Sequence, residues 1–251
     1  FIMNKNFLKK GYTILNIPTD KLKFFVKERD KVKNFSRKFV KIDKNKKFKL
    51  ENFHEFNLKG KKNLNDLRMK IMREINKNRN FQKNVYNSLS FFLDNCLGPD
   101  VVTQKFVNLV IQKPNDTDRA PFHKDGPVAS NYELVLWIPF VDCYKTMNMY
   151  LFDNELHDKT KIFLKKNSSI EKLDDFSKKY GKLIDVNFGQ ILIFWSNVFH
   201  YIPINKENST RWSLNIRYKN LFTKYGTKNM VDYYKILKLS PITKMLQQID
   251  V

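Results

Sequence analysis

Cysteine is nearly absent: of 251 residues only Cys96 and Cys143 carry a thiol. They lie far apart and show no metal-ligand spacing, so neither a disulfide framework nor a zinc ribbon is written here; free thiols in a reducing, cytoplasmic setting are expected. Long apolar runs are missing too. The longest, residues 134–141, is too short to cross a bilayer and contains Pro139. Lys5, Lys9 and Lys10 interrupt the first apolar stretch, which argues against a secretory leader. No internal repeat and no Gly- or Pro-rich linker divides the chain. Acid is scarce: 25 Asp and Glu stand against 47 Lys and Arg, a formal net charge of +22. Such a charge suits a nucleic-acid partner. The lysines are dispersed, however, with residues 44–49 the densest run, and no nucleic-acid motif accompanies them. A small-molecule substrate bearing phosphate or carboxylate would also be drawn to this protein.

What is present is a core. Apolar residues make up 42% of the chain and aromatics 14%, enough to exclude disorder and to fill a single domain. The pattern divides it in three: residues 1–100 mainly helical support, 101–220 a β core, 221–251 a helical extension. A strand is expected at 12–17, and Thr19 as the cap of a helix over 21–28. A basic, Gly-poor connector follows at 31–62. Helical spacing returns at 65–77 (Leu67, Ile71, Ile75) and 82–97 (Val85, Leu89, Leu93), ending at Gly98-Pro99. Strands are expected at 105–113, 133–141, 148–152, 182–187, 190–196 and 211–218, and closing helices at 233–239 and 242–249. The fold class is α+β, with helices packed on a jelly-roll-like core.

His123-Lys124-Asp125 is the most informative feature. Positions two apart on an extended chain share a face, so the imidazole and the carboxylate converge. Alone, the pair equally suits a surface hydrogen bond. It follows a turn-rich segment, residues 114–118, and precedes Gly126-Pro127, which suits a barrel mouth. His200 follows the apolar run 190–195. The chain then returns with Arg211, Ser213, Asn215 and Arg217 on one face and Trp212, Leu214, Ile216 and Tyr218 on the other. Two histidines and one carboxylate hold Fe(II) with positions left open. A planar guanidinium beside them suits a carboxylate ligand.

Asn108 and Gln112 share a strand face and suit a co-substrate or a rim. Tyr150 suits a carboxylate donor or a packed aromatic. Arg119 and Lys124 flank the pair on a loop, as anion contacts or as solvated charge. Trp137 suits either the core or a substrate wall, and Arg217 is the second carboxylate partner should Arg211 face outward. A rival metal set, Asp153, Glu155 and His157, lacks a second histidine, and His54 between aromatics suits a structural role.

These segments together resemble the Fe(II)/2-oxoglutarate-dependent dioxygenases, specifically the phytanoyl-CoA-dioxygenase-like branch and its relatives in bacterial surface-carbohydrate clusters. The matching pieces are residues 7–12 (FLKKGY), 121–127 (PFHKDGP), 189–196, His200 and 211–218 (RWSLNIRY). The resemblance implies a double-stranded β-helix with iron on His123, Asp125 and His200. It also implies that Arg211, with Ser213 beside it, grips 2-oxoglutarate, and that O2 and 2-oxoglutarate are consumed to succinate and CO2. Where relatives carry Asn-Gly and Pro-Gly-Ser-His elements this chain has residues 147–152 (MNMYLF), a departure that touches the substrate pocket. Two other classes stay open: a basic nucleic-acid-binding or nucleic-acid-modifying protein, and a non-catalytic carbohydrate-binding jelly roll. Monomer and homodimer fit equally.

Overall fold

The computed structural model describes residues 5–43, 45–56, 61–117, 120 and 122–249. Helix α1 (Lys5–Lys10) leads into strand β1 (Tyr12–Asn16), then α2 (Thr19–Val40), α3 (Lys61–Asn76), α4 (Phe81–Ser88) and α5 (Ser90–Leu97). Strands β2 (Val101–Gln104), β3 (Asn108–Gln112), β4 (Glu133–Pro139) and β5 (Tyr150–Leu151) follow. Helices α6 (His157–Lys166) and α7 (Ile170–Tyr180) precede β6 (Lys182–Leu183), β7 (Gln190–Trp195), β8 (His200–Tyr201), β9 (Arg211–Asn220), β10 (Tyr234–Lys238) and α8 (Pro241–Ile249). No helix among the described residues is long and apolar enough to cross a membrane.

The large sheet is antiparallel, in the order β1-β7-β4-β9-β2-β10. β9 is long enough for two partners along one edge: β2 pairs with its end at residues 218–220 and β3 with residues 211–215. β4, at the centre, is buried at every position, because helices cover one face and the second sheet the other. A second, three-stranded sheet has the order β6-β5-β8, and a bridge between His123 and His200 adds the segment around His123 to its β8 edge. This is the two-layer, jelly-roll-like core that the alternation of the β region predicts.

Period two decides which side chains meet. On β9 the odd residues from Arg211 to Arg217 face the space between the sheets. Trp212 and Tyr218 face the helices, where Trp212 meets Phe53 at 5.0 Å and Tyr218 meets Tyr86 at 5.3 Å between ring centroids. The Tyr218 hydroxyl donates to the Gln82 carbonyl at 2.7 Å and the Trp212 indole to the Leu50 carbonyl at 2.9 Å, so the polar tips of both rings are satisfied under the helical layer.

Four expectations need correction. α2 runs to Val40, through much of the basic stretch read as a connector, and Thr19 is its first residue with no capping hydrogen bond from a side chain. Its buried stripe, Phe25, Glu28, Val32 and Ser36, carries about one residue per turn, which the surrounding lysines dilute. The helix expected at 82–97 breaks at Leu89 (φ −130°), where the Ser88 hydroxyl bonds the Val85 carbonyl in competition with the helical backbone. Residues 157–180, for which no element is expected, form α6 and α7. The helix expected at 233–239 is instead β10, paired with β2. Tyr234 is fully covered while Ile236 and Lys238 are exposed, and tertiary pairing overrides a segment too short to hold a helix.

Candidate metal centre

The site lies where the two sheets close on each other. His123 and His200 exchange two backbone hydrogen bonds, at 3.1 and 3.0 Å, and their ring centroids lie 4.2 Å apart. Asp125, two residues on, swings its Oδ1 to 3.5 Å from His123 Nε2. One ligand atom from each of His123, Asp125 and His200 lies within 4.8 Å of the others, the only such group among the described residues. With metal bonds of about 2.0–2.2 Å, one ion reaches all three after small side-chain rotations. The rival trio does not meet: Asp153 accepts from Tyr12 and Lys182, Glu155 pairs with Lys9, and His157 packs against Phe199.

The protonation pattern suits a cation. The fully buried His200 places Nδ1 3.1 Å from the Val198 carbonyl, which only accepts, so the ring proton sits on Nδ1 and Nε2 keeps its lone pair toward Asp125 and His123. Burial, with the neighbouring His123, pushes its pKa down to about 4, so the ring is neutral in the metal-free fold. Burial works against an ionised Asp125, but the hydrogen bond with His123 and the charge of Arg217 outweigh it and hold the carboxyl below its usual range. Gly11 braces this corner from outside. At φ +80° it accepts the left-handed backbone, and a Cβ there would stand 2.5 Å from Val198 Cγ2, beside the carbonyl that orients His200.

Arg211 is the second unusual group. It is 1% exposed, and its guanidinium makes one hydrogen bond, Nη1 to the Met147 carbonyl at 3.1 Å. No carboxylate among the described residues lies within ion-pair distance of it. Its Nε, the Ser213 Oγ and the Gln112 Oε1 are all buried without hydrogen-bond partners. Gln112 stands opposite Arg211 across β3–β9, and Ser213 is the next residue on the same face. Burial lowers the guanidinium pKa to about 10. Two orphaned donors, the Arg211 Nε–H and the Ser213 hydroxyl, facing the space between the sheets are what a carboxylate ligand would satisfy; Gln112 Oε1 is an acceptor, its amide nitrogen being held by the Pro203 carbonyl.

The remaining candidates divide. Asn108, half-buried, pairs in register with Asn215, whose Oδ1 is likewise unpartnered. Trp137 is 2% exposed and stands between Asn215 and Leu192 in the inner wall. Tyr150 lies opposite Tyr201, while its neighbour Leu151 lies opposite His200, so the Tyr150 ring turns away from the histidine and joins the aromatic cluster of Phe152, Phe176 and Phe199 under α6 and α7. Lys124 leaves the metal pair for the same side, its Nζ 5.2 Å from the Phe199 ring centroid. Arg217 is not a free carboxylate partner, because its Nη2 donates to Asp125 Oδ2 at 2.8 Å. Arg119 lies outside the described residues. His54 is structural, both ring nitrogens within 3.1 Å of Thr210 and Asn208 oxygens.

Sequence reasoning passed over Glu133 and Tyr234, the buried acid and phenol behind Arg217, which hydrogen-bond each other. A lone acid opening an otherwise apolar strand was the available signal.

Neither a protein-family model nor a curated protein sequence matches this chain. Solved structures do. EctD from S. alaskensis with bound Fe superposes with a TM-score of 0.60 at 11% identity, covering 94% of this chain and 85% of its own. ThoJ, a non-heme monooxygenase seen with Ni, gives 0.56 at 10% identity over 95% and 84%. HygX from Streptomyces hygroscopicus, with nickel and 2-oxoglutarate bound, gives 0.53 at 7% over 89% of each chain. At such identities the likeness is one of fold.

Proposed function

We propose that this chain is an Fe(II)/2-oxoglutarate-dependent oxygenase, akin to the phytanoyl-CoA-dioxygenase-like branch. It oxidises a small, anionic or sugar-linked metabolite by hydroxylation, with release of succinate and CO2. One observation carries the reading: the inward-facing donor set of His123, Asp125 and His200 lies in the same lumen as Arg211, a buried cation that no carboxylate among the described residues pairs with. Two imidazoles and one carboxylate form the ligand set of non-haem Fe(II) oxygenases. The bound metal, with 2-oxoglutarate and O2, supplies the oxidising chemistry that amino acids lack. The iron of EctD and the nickel and 2-oxoglutarate of HygX sit in proteins of this fold.

The chain's own residues do the positioning. Arg211 and Ser213 take the distal carboxylate of the co-substrate, and Gln112 lines the same recess. Burial strengthens those charge-assisted contacts and keeps water out. The Val198 carbonyl fixes His200 in the tautomer that leaves Nε2 free. His123, with a third of its side chain exposed, marks the side from which substrate enters. The excess of lysine favours approach of an anion there. A nucleic-acid role would rest on the net charge of +22 alone.

The test is turnover of purified protein with Fe(II), 2-oxoglutarate and ascorbate, scored as succinate. Wild type forms succinate, slowly even without substrate, while His123→Ala and His200→Ala form none. Wild-type turnover in either variant would defeat the assignment.

A further inference from the structure

Arg217 is held by more partners than a strand residue needs. Its Nη2 donates to Asp125 Oδ2 at 2.8 Å, and its Nε lies 3.7 Å from Glu133 Oε2. Its Nη1 reaches Gln104 Oε1 at 3.3 Å and the Tyr233 hydroxyl at 3.4 Å. Gln104 is itself anchored, its amide nitrogen bonded to the carbonyls of Phe106 and Asn215. Glu133 is fully buried at the start of β4, takes the Tyr234 hydroxyl on Oε1, and stands opposite Lys219 in the β4–β9 register. Lys219 donates to the Thr223 carbonyl at 2.6 Å. Side chains from β2 and β4, and Tyr233 just ahead of β10, thus converge on one guanidinium of β9.

Buried ion networks are a poor route to stability, since apolar residues of similar volume usually do as well. In some proteins such groups serve instead to fix geometry. Here the geometry concerns Asp125, whose two oxygens are divided: Oδ2 faces Arg217, whereas Oδ1 lies 3.5 Å from His123 Nε2. We propose that Arg217, braced from behind by Glu133 and Tyr234, is a positioning residue that occupies Oδ2 and presents Asp125 to the metal through Oδ1 alone. The inference rests on the metal-centre reading above and deepens it. Residue 217 thereby leaves the co-substrate role to Arg211, so the two arginines of one strand face serve the metal and the dicarboxylate separately.

The experiment titrates chelator-stripped protein with Mn(II), reading free Mn(II) by electron paramagnetic resonance, with the metal-free melting temperature measured alongside. Wild type binds one Mn(II) per chain. Arg217→Lys keeps the charge but cannot span Asp125 and Glu133 together, and it binds about 10–100-fold more weakly, as loss of a group orienting a metal ligand does. Glu133→Gln keeps the shape and removes the far charge; its affinity drops less than that of Arg217→Lys, and it serves as the reporter should the lysine variant not fold. Tyr218→Phe breaks a buried hydrogen bond on the opposite face of the same strand. It lowers the melting temperature yet keeps wild-type Mn(II) affinity, so a general loss of stability is told apart from positioning. Wild-type affinity in Arg217→Lys, or equal losses in Arg217→Lys and Tyr218→Phe, overturns the proposal and leaves the metal centre standing. Failure of wild type to bind any Mn(II) removes both.

Discussion

Replacing Arg211 by methionine separates a group kept for a ligand from one kept for the fold. The side chains have comparable length, so the change removes charge and hydrogen bonding more than volume. In the metal-free protein the guanidinium is fully buried, and its pKa is pushed down from 12.5 to about 10. That displacement corresponds to about 3 kcal/mol against the charged form, at about 1.4 kcal/mol per pH unit. The single bond to the Met147 carbonyl returns about 1.5–3 kcal/mol, the range for a charged donor. The balance lies between zero and about 2 kcal/mol in favour of methionine. Urea unfolding of chelated Arg211→Met should therefore show stability equal to or above wild type. Binding of 2-oxoglutarate should fall sharply: two charge-assisted hydrogen bonds of about 1.5–3 kcal/mol each amount to about 10²–10⁴-fold in Kd. A loss of apo stability above about 3 kcal/mol, the cost of breaking a satisfied buried ion pair, would show that the guanidinium is structurally engaged. Undiminished 2-oxoglutarate affinity would refute the reasoning outright.

Other perturbations bear on separate links. Gly11→Ala forces a β-carbon against Val198 in a left-handed backbone; it should cost about 1–3 kcal/mol in urea unfolding and weaken Mn(II) binding, and neutrality in both would break the connection drawn from Gly11 to His200. Cys143 is buried with its thiol pushed up to about 12, and Cys96 is raised to about 11. Both thiolates are scarce at pH 8, so iodoacetamide should label Cys96 slowly and Cys143 only after unfolding; rapid labelling of Cys143 in native protein would contradict the packing described. Adding metal and 2-oxoglutarate at about 100 times their dissociation constants should stabilise wild type by about 2.7 kcal/mol for each ligand, and Arg211→Met should lose the 2-oxoglutarate share.

The alternation of Arg211, Ser213, Asn215 and Arg217 was readable because a strand has period two whatever it pairs with. The convergence of His123 and Asp125 was readable for the same reason. What each arginine touches was not, since it depends on register: Arg217 meets Asp125 only because the 123–125 segment bridges to β8, and meets Glu133 because β4 lies beside β9. Tyr234 supports that network from a segment that is too short for its period to be read and passes for helix. Tyr150 misleads because a two-residue strand carries no periodicity of its own, and only its pairing with β8 reveals the outward face. The dilution of α2 by lysine hid a helix that covers the core.

The most direct measurement is an anaerobic crystal structure of the protein soaked with Fe(II) and 2-oxoglutarate. The account predicts one metal ion bound by Nε2 of His123, Nε2 of His200 and Oδ1 of Asp125, with the distal carboxylate of 2-oxoglutarate on Arg211 and Ser213. A metal bound elsewhere, or a dicarboxylate that leaves Arg211 without an anion, would contradict it.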